Sequence, residues 1–217
     1  MSLFVGLPSH DGTRLNALAL ADITARRKDA ILAERFGCFL PANRNDLWCQ
    51  ALNMAPRPEL FLWLDADVIP TDDFVTVLEG EMRATGADLM GGVVSMKTKP
   101  GDTSIALDAD EFGRKTRRMH LSEMAGLTDT WTHPRLLLST GLILVDFRKP
   151  WVEQVSFATE DRIEKRDGKF VTVNDSEDYR WCRQVRSLGG SIFATRKVGT
   201  THVGRRDHVI PAHDRKE

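Results

Sequence analysis

The hydrophobic pattern is strongest at Leu60–Leu64, where apolar residues follow one another without a polar interruption. A short apolar run of this kind is typical of a β-strand in a sheet that helices cover on both faces. The run ends in Asp65-Ala66-Asp67, so the sequence predicts two carboxylates at the carboxyl end of a buried strand. If the strand continued through them, alternation would point both carboxylates to the same side.

The rest of the first hundred residues alternates between strand-like and helix-like patterns. Apolar runs predict further strands at residues 3–7, 35–40 and 88–94. Amphipathic spacing predicts helices over residues 15–21, 45–52 and 74–85. Pro41 is expected to end the second strand, and Gly86 to cap the third helix at its C-terminus. This alternation predicts an α/β fold with a mostly parallel, Rossmann-like central sheet flanked by helices.

The pattern in the second half is less regular. Residues 97–133 have no clear period, and the basic run at 113–120 is typical of a solvated surface. Residues 135–145 predict a strand that Ser139-Thr140-Gly141 interrupts, and residues 165–169 predict a charged turn. A helix over 178–188 is expected to end at Gly189-Gly190, before a short strand.

Composition places the chain among globular proteins. It has 217 residues, of which 41% are hydrophobic and 28% charged, with a formal net charge of −1. This length predicts one domain with a substantial core, and the charge gives no general argument for binding nucleic acid or membranes.

Localisation is predicted from what the sequence lacks. No apolar run is long enough to span a bilayer, and the N-terminus does not resemble a secretory signal. The odd number of cysteines (Cys38, Cys49 and Cys182) has no metal-type or redox spacing. We therefore predict a cytoplasmic protein without a membrane-spanning segment, whose cysteines are reduced and serve as small core residues.

The acid pair has two interpretations. Open α/β sheets bind ligands beyond the carboxyl ends of their strands, where paired carboxylates suit a hard cation and a phosphate-bearing substrate. Alternatively, acids in such a stretch cap the next helix. Capping suits Asp72 and Asp73, just before the helix expected near Phe74, but it leaves Asp65 and Asp67 unexplained. Because glycine-rich phosphate fingerprints are absent, a metal is the expected partner of any nucleotide phosphates.

Five segments, one of which is the acid pair, have a recognisable order and spacing. They are Leu7-Pro8-Ser9-His10-Asp11-Gly12 after the first strand, Arg44-Asn45, Asp65-Ala66-Asp67, Glu177-Asp178 at a helix start, and Thr201-His202-Val203-Gly204. Together they make the chain resemble the nucleotide-sugar glycosyltransferases of the GT-A fold, especially the small family-2-like enzymes of bacteria and phages. The acid pair then resembles the DxD motif of that family.

The resemblance implies a metal-dependent donor site. Asp67 would ligate Mn²⁺ or Mg²⁺ directly, Asp65 would reach the ion through water or hold the ribose, and His202 would add a nitrogen ligand that favours Mn²⁺. The residues implied for binding a UDP- or GDP-sugar are Pro8, Ser9, Asp11, Arg44, Asp65 and Ala66. Arg44 would pair with the donor phosphates as a planar fork.

The resemblance also implies an inverting transfer. Asp178 would take the proton of an acceptor hydroxyl, and the N-terminus of its helix would stabilise the charged form. Glu177 would position the acceptor or the base. The acceptor would be a glycan, a nucleic-acid base or a small molecule. Residues 1–95 would form the nucleotide-binding half of a single domain, residues 96–204 the acceptor-binding half, and residues 205–217 a polar tail.

Other functions stay open on the sequence alone. The same fold hosts retaining glycosyltransferases, and the basic residues at 114–118 and 205–206 allow a phage enzyme that modifies DNA bases. A metal-dependent nucleotidyltransferase would use a similar acid pair, usually with a glycine-rich basic loop after strand one. A non-catalytic nucleotide- or carbohydrate-binding protein would need no base at Asp178.

Overall fold

The computed structural model describes residues 1–10, 12, 14–71, 73–97, 99–109, 115–204 and 208–210. The strands are β1 Leu3–Ser9, β2 Ala30–Phe36, β3 Leu60–Leu64, β4 Val68–Pro70, β5 Leu89–Gly92, β6 Asp102–Asp108, β7 Thr116–His120, β8 Thr130–Trp131, β9 Leu136–Leu137, β10 Leu142–Asp146, β11 Glu160–Arg166, β12 Lys169–Asp175, β13 Ile192–Thr195, β14 Thr200–His202 and β15 His208–Ile210. The α-helices are α1 Ala17–Arg26, α2 Leu40–Leu52, α3 Phe74–Thr85, α4 Leu121–Met124 and α5 Glu177–Ser187.

A seven-stranded sheet forms the centre of the fold, in the order β2-β1-β3-β10-β5-β13-β8. Strands β2, β1, β3, β5 and β13 run in one direction, whereas β10 and β8 run against them. The predicted α/β class with a mostly parallel central sheet is therefore confirmed. The two reversed strands make the sheet mixed.

Both faces of the central sheet are buried, as the apolar run of β3 predicts. Phe61 and Trp63 point to one face, where the ring of Trp63 stacks on Trp48 of α2 at 6.0 Å between centroids. Leu62 points to the other face and packs in the same cluster as Leu78 of α3. Alternate side chains of one strand thus fill two separate cores.

The second strand was predicted too late in the chain. The structure places β2 at Ala30–Phe36, and residue 40 already belongs to α2. Pro41 lies in the first turn of α2, where its fixed φ suits a helix, and so it does not end a strand. Phe36 and Phe39, both within the range predicted as a strand, are exposed at 70% and 60%.

Three smaller sheets are built on this core. They have the orders β15-β14-β4, β7-β6-β9 and β11-β12. The predicted interruption at Ser139-Thr140-Gly141 is confirmed, because β9 before it pairs with β6 while β10 after it enters the central sheet. The predicted charged turn is also confirmed: β11 and β12 form an antiparallel hairpin around Asp167 and Gly168, both with positive φ.

The proposed halves of the chain share the central sheet, because β10 and β13 lie on either side of β5. Within the predicted tail, His208–Ile210 pairs with β14, and Ile210 is buried. No helix in the described part of the chain is long and apolar enough to cross a membrane.

The cysteines divide between core and surface. Cys182 is buried in α5, as expected of a small core residue, and burial raises the pKa of its thiol to about 12. The same expectation is wrong for Cys38 and Cys49, which are exposed.

Candidate active site

The acid pair lies in a turn beyond the carboxyl end of β3. The backbone leaves the strand after Leu64, so Asp65 and Asp67 do not alternate along one strand and their side chains diverge. The carbonyl of Ala66 accepts a hydrogen bond from Leu15 N at 2.9 Å. The carbonyl of Asp67 accepts one from Val203 N at 2.8 Å. Two segments that are far from the turn in sequence therefore hold it in place.

A cleft of about 280 Å³ opens at this turn, on the side where the strands of the central sheet end. Its lining includes residues predicted to bind the donor or metal, namely Pro8, Ser9, Asp65, Ala66 and Asp67. The cleft is completed by His10, Leu15, Leu40, Lys97 and Val203. Asp11, also predicted to bind the donor, lies outside the described residues.

Arg44 joins three of the candidate carboxylates. Its guanidinium lies 3.3 Å from Asp65 Oδ1 and 3.1 Å from Asp178 Oδ1, and it also forms an ion pair with Glu177. We call these four residues the buried arginine cluster. The ring of Phe157 lies 5.9 Å from the guanidinium carbon.

The position of Arg44 differs from the expectation that it opens a helix. It lies within α2, which begins at residue 40, and only 3% of its side chain is exposed. Burial alone would lower the pKa of Arg44, but the carboxylates of Asp178, Asp65 and Glu177 outweigh burial and raise it.

Burial strongly perturbs the carboxyl of Asp65 in this cluster. Burial raises its pKa to about 6, against the opposing effect of Arg44 and with a further contribution from the charge of Asp178. The carboxyl of Asp65 is therefore expected to change its protonation state near pH 6.

Asp67 points away from the buried arginine cluster towards two other cationic or potentially cationic groups. Its Oδ2 accepts a hydrogen bond from Lys97 Nζ, and its Oδ1 lies 3.5 Å from His202 Nε2. We call these three residues the open aspartate cluster. Burial would raise the pKa of Asp67, but the hydrogen bonds from His202 and Lys97 outweigh it and lower the pKa to about 2.

The imidazole of His202 is oriented by the backbone. Its Nδ1 lies 2.7 Å from the carbonyl oxygen of Ser95, which can only accept, so Nδ1 carries the hydrogen. Nε2 therefore donates the hydrogen bond to Asp67 only when the ring is doubly protonated, whereas in the neutral ring the lone pair of Nε2 faces Asp67 and can bind a metal ion. Metal-binding histidines are commonly oriented by such a hydrogen bond.

The structure brings together two of the three predicted metal ligands. Asp67 and His202 are neighbours, whereas the carboxylate of Asp65 contacts Arg44. Among the described residues, no group of three or more His, Cys, Asp or Glu side chains is arranged to hold a metal ion. A carboxylate oxygen beside an oriented imidazole nitrogen is nevertheless a donor set that suits Mn²⁺, with water or substrate oxygens completing the shell.

Asp178, the candidate base, is buried at the first turn of α5 and held by two hydroxyl groups. Ser139 Oγ donates to its Oδ2 at 2.9 Å, and Thr140 Oγ1 donates to its Oδ1 at 2.8 Å. Neither hydroxyl was identified as functional from the sequence. The sequence feature that could have indicated them is the polar interruption of the apolar strand pattern at Ser139-Thr140-Gly141. This interruption places both hydroxyl groups beside the carboxylate of Asp178.

Lys97 and Ser95 were also missed. Both lie in the segment between β5 and β6, where no hydrophobic period directs attention to single residues. Their importance comes from contacts with residues far away in sequence, which no local pattern encodes.

The sequence matches no protein-family model and no curated protein sequence. Solved structures share its fold, and two of them align over nearly the whole of this chain. The crystal structure of A197 from STIV aligns with a TM-score of 0.57 and 15% identity, covering 100% of this chain and 98% of that one. The crystal structure of GalNAc-T7 with UDP, GalNAc and Mn²⁺ aligns with a TM-score of 0.54 and 10% identity, covering 94% of this chain and 44% of that one.

These similarities concern the fold. The chain shares the GT-A fold of nucleotide-sugar glycosyltransferases, as the resemblance of its motifs implies. At such low identity the alignment assigns no activity, and this chain spans less than half of GalNAc-T7.

Proposed function

We propose that this protein is a glycosyltransferase that moves a sugar from a nucleotide-sugar donor to an acceptor hydroxyl, with inversion at the transferred carbon. The observation that carries this proposal is that Asp65 of the buried arginine cluster and Asp67 of the open aspartate cluster line the same strand-end cleft, with Asp178 joined to Asp65 through Arg44. Carboxylates there can serve both halves of the reaction. One carboxylate can bind the metal ion that stabilises the departing diphosphate, and another can accept the proton of the attacking hydroxyl.

The donor side centres on the Asp65–Asp67 turn. Asp67 and His202 would hold Mn²⁺ or Mg²⁺, and Asp65 would reach the ion through water or hold the ribose. When bound, the ion supplies Lewis acidity that stabilises charge on the leaving diphosphate. Pro8, Ser9 and Ala66 would line the nucleoside pocket of a UDP- or GDP-sugar.

Arg44 has a role beyond the phosphate contact implied by the family resemblance. Direct contact with donor phosphates stays a prediction. Its nearly complete burial and its ion pairs support a second role, which is to fix Asp65, Glu177 and Asp178 relative to one another. A planar guanidinium can engage several carboxylate oxygens at fixed angles, so it suits this task.

The acceptor side centres on Asp178. A carboxylate offers about four lone-pair directions, so the hydrogen bonds from Ser139 and Thr140 and the ion pair with Arg44 leave Asp178 able to accept one more hydrogen bond, from a substrate hydroxyl. As that oxygen forms its bond to the anomeric carbon, its proton passes to Asp178 while the bond to the diphosphate breaks. Glu177, on the same turn and paired with Arg44, would position the acceptor or the base.

The proposal is tested first by ligand binding. Thermal unfolding should be measured with UDP-, GDP- and CDP-sugars, each with and without Mn²⁺. A donor at 100 times its Kd stabilises the native state by about 2.7 kcal/mol, so one nucleotide should raise Tm in a Mn²⁺-dependent way. If none of the nucleotides changes Tm, the proposed donor class is wrong.

Product analysis separates the competing functions. An inverted anomer, seen in NMR coupling constants, supports the single displacement, whereas a retained anomer indicates a retaining glycosyltransferase. Transfer of a nucleotidyl group in place of the sugar indicates a nucleotidyltransferase. Donor binding without transfer to glycan, nucleic-acid or small-molecule acceptors indicates a binding protein.

A further inference from the structure

Lys97 is a charged residue in the cleft that the proposed chemistry has not used. Its Nζ donates a hydrogen bond to Asp67 Oδ2, and its side chain is 35% exposed where it lines the cleft. The other carboxylate oxygen of Asp67 faces His202. An ammonium group therefore already occupies one side of the carboxylate that is proposed to bind a divalent cation.

We propose that Lys97 is the counter-ion of Asp67 in the metal-free site, that a divalent cation displaces it, and that the displaced ammonium then binds the diphosphate of the donor. This inference rests on the proposed function. It makes Lys97 a positioning residue for the donor and couples the arrival of the metal to an additional positive charge beside the leaving group.

Electrostatics requires that the two cations exclude each other. A divalent ion and an ammonium group beside the same carboxylate repel each other even in a water-like dielectric. Lysine has a flexible four-carbon stem and rotatable donors, so it can give up one partner and take another. Because Lys97 and Asp67 are 35% and 37% exposed, breaking their ion pair costs little.

The backbone that leads into Lys97 is anchored at residues 95 and 96, so we assign the exchange to the side chain. Ser95 pairs with Thr103 in a β-bridge, and Met96 N donates to Asp102 O at 2.9 Å. The carbonyl of Ser95 also accepts the hydrogen bond from His202 Nδ1. One anchored segment thus orients the nitrogen proposed as a metal ligand and carries the ammonium proposed to leave.

The test measures metal affinity directly. Mn²⁺ is titrated into the wild-type chain, Lys97→Met and Lys99→Met, with free Mn²⁺ followed by electron paramagnetic resonance. Lys99 is exposed and only two residues away, so its variant controls for the loss of one positive charge. We expect Lys97→Met to bind Mn²⁺ about tenfold more tightly than wild type, and Lys99→Met to bind as wild type does.

A second titration tests the fate of the displaced ammonium. Inorganic pyrophosphate is added to each protein at saturating Mn²⁺. If Lys97 turns to the diphosphate, Lys97→Met should bind pyrophosphate several-fold more weakly than wild type, while Lys99→Met should not change. Equal pyrophosphate affinity in all three proteins would overturn this part of the proposal.

The outcomes distinguish this inference from the proposed function. If wild type and Lys97→Met bind Mn²⁺ equally, Lys97 is not a competitor, and the proposed glycosyltransferase site stands. If neither binds Mn²⁺, or if Asp67→Asn leaves wild-type affinity intact, the metal site itself is wrong and both fail. Tighter binding by Lys97→Met that disappears in the double variant with Asp67→Asn supports both.

Discussion

The two charge clusters of the cleft use the same chemical groups in different surroundings. In the buried arginine cluster, Arg44 is 3% exposed and its acids, Asp65, Glu177 and Asp178, are exposed by 26%, 14% and 10%. In the open aspartate cluster, Lys97 and Asp67 are more exposed, at 35% and 37%. The surroundings decide what each cluster can do. A buried pair is costly to break and preserves geometry, whereas an exposed pair can exchange partners.

The difference between the two clusters is tested most directly by removing the central cation of the buried arginine cluster. Arg44→Met leaves three carboxylates without their shared partner inside the protein. We expect the free energy of unfolding to fall by about 3–5 kcal/mol, measured by urea denaturation near neutral pH, because an unpaired buried charge is strongly destabilising.

Lys97→Met is the matched control for that loss, since it removes a cation from the open aspartate cluster. Its free energy of unfolding should stay close to that of wild type. Arg44→Lys should lie between the two, because it keeps the charge but loses the planar fork. Equal losses in Arg44→Met and Lys97→Met would show that burial does not distinguish the clusters.

The next largest effect is expected at Asp178. Asp178→Asn keeps the shape that Ser139 and Thr140 bind but removes the basicity, so the transfer rate should fall by about a hundred- to ten-thousand-fold. Donor affinity, measured by calorimetry, should be retained. Asp46→Asn, at an exposed position of α2, serves as a control and should transfer normally. Normal transfer by Asp178→Asn would move the role of base to Glu177.

A smaller effect is expected in the open aspartate cluster. Asp67→Asn removes the charge proposed to bind the metal but leaves the Arg44 contacts intact. Donor affinity in the presence of Mn²⁺ should fall at least about tenfold, or about 1.4 kcal/mol, and should no longer depend on Mn²⁺. Full activity of the wild type in excess chelator would remove the metal from the mechanism.

The last effect is the pH dependence of stability, where the two acids should behave oppositely. The pKa of Asp65 is raised from 3.8 to about 6, so its contribution to stability is full below 3.8 and is lost as the pH rises through 6. The pKa of Asp67 is lowered from 3.8 to about 2, so its contribution is full above 3.8 and is lost as the pH falls through 2.

This contrast is measurable without activity. Carboxyl ¹³C resonances, assigned with Asp65→Asn and Asp67→Asn, should titrate near pH 6 and pH 2. Unfolding free energies of the two variants, measured against pH, should differ from wild type in opposite directions. Titration of both carboxyls near 3.8 would mean that neither cluster perturbs its acid.

Local patterns predicted the fold well where the signal lies in residues that are neighbours in the chain. The buried run at Leu60–Leu64, the helix at Phe74–Thr85 with its Gly86 cap, and the break at Ser139-Thr140-Gly141 all appear in the structure. The prediction was wrong around Pro41, because a proline before an amphipathic stretch fits both the end of a strand and the first turn of a helix.

The sequence by itself determined the α/β class and the carboxylates after β3, since both follow from residues that are neighbours in the chain. Only the tertiary structure decided which charges meet. Arg44 reaches Asp65 across 21 positions and Glu177 across 133, and Lys97 reaches Asp67 across 30. These partnerships depend on strand order and helix packing, which bring distant segments to one edge of the sheet. No local period encodes that juxtaposition, so the division into a buried and an open cluster emerges only in the folded chain.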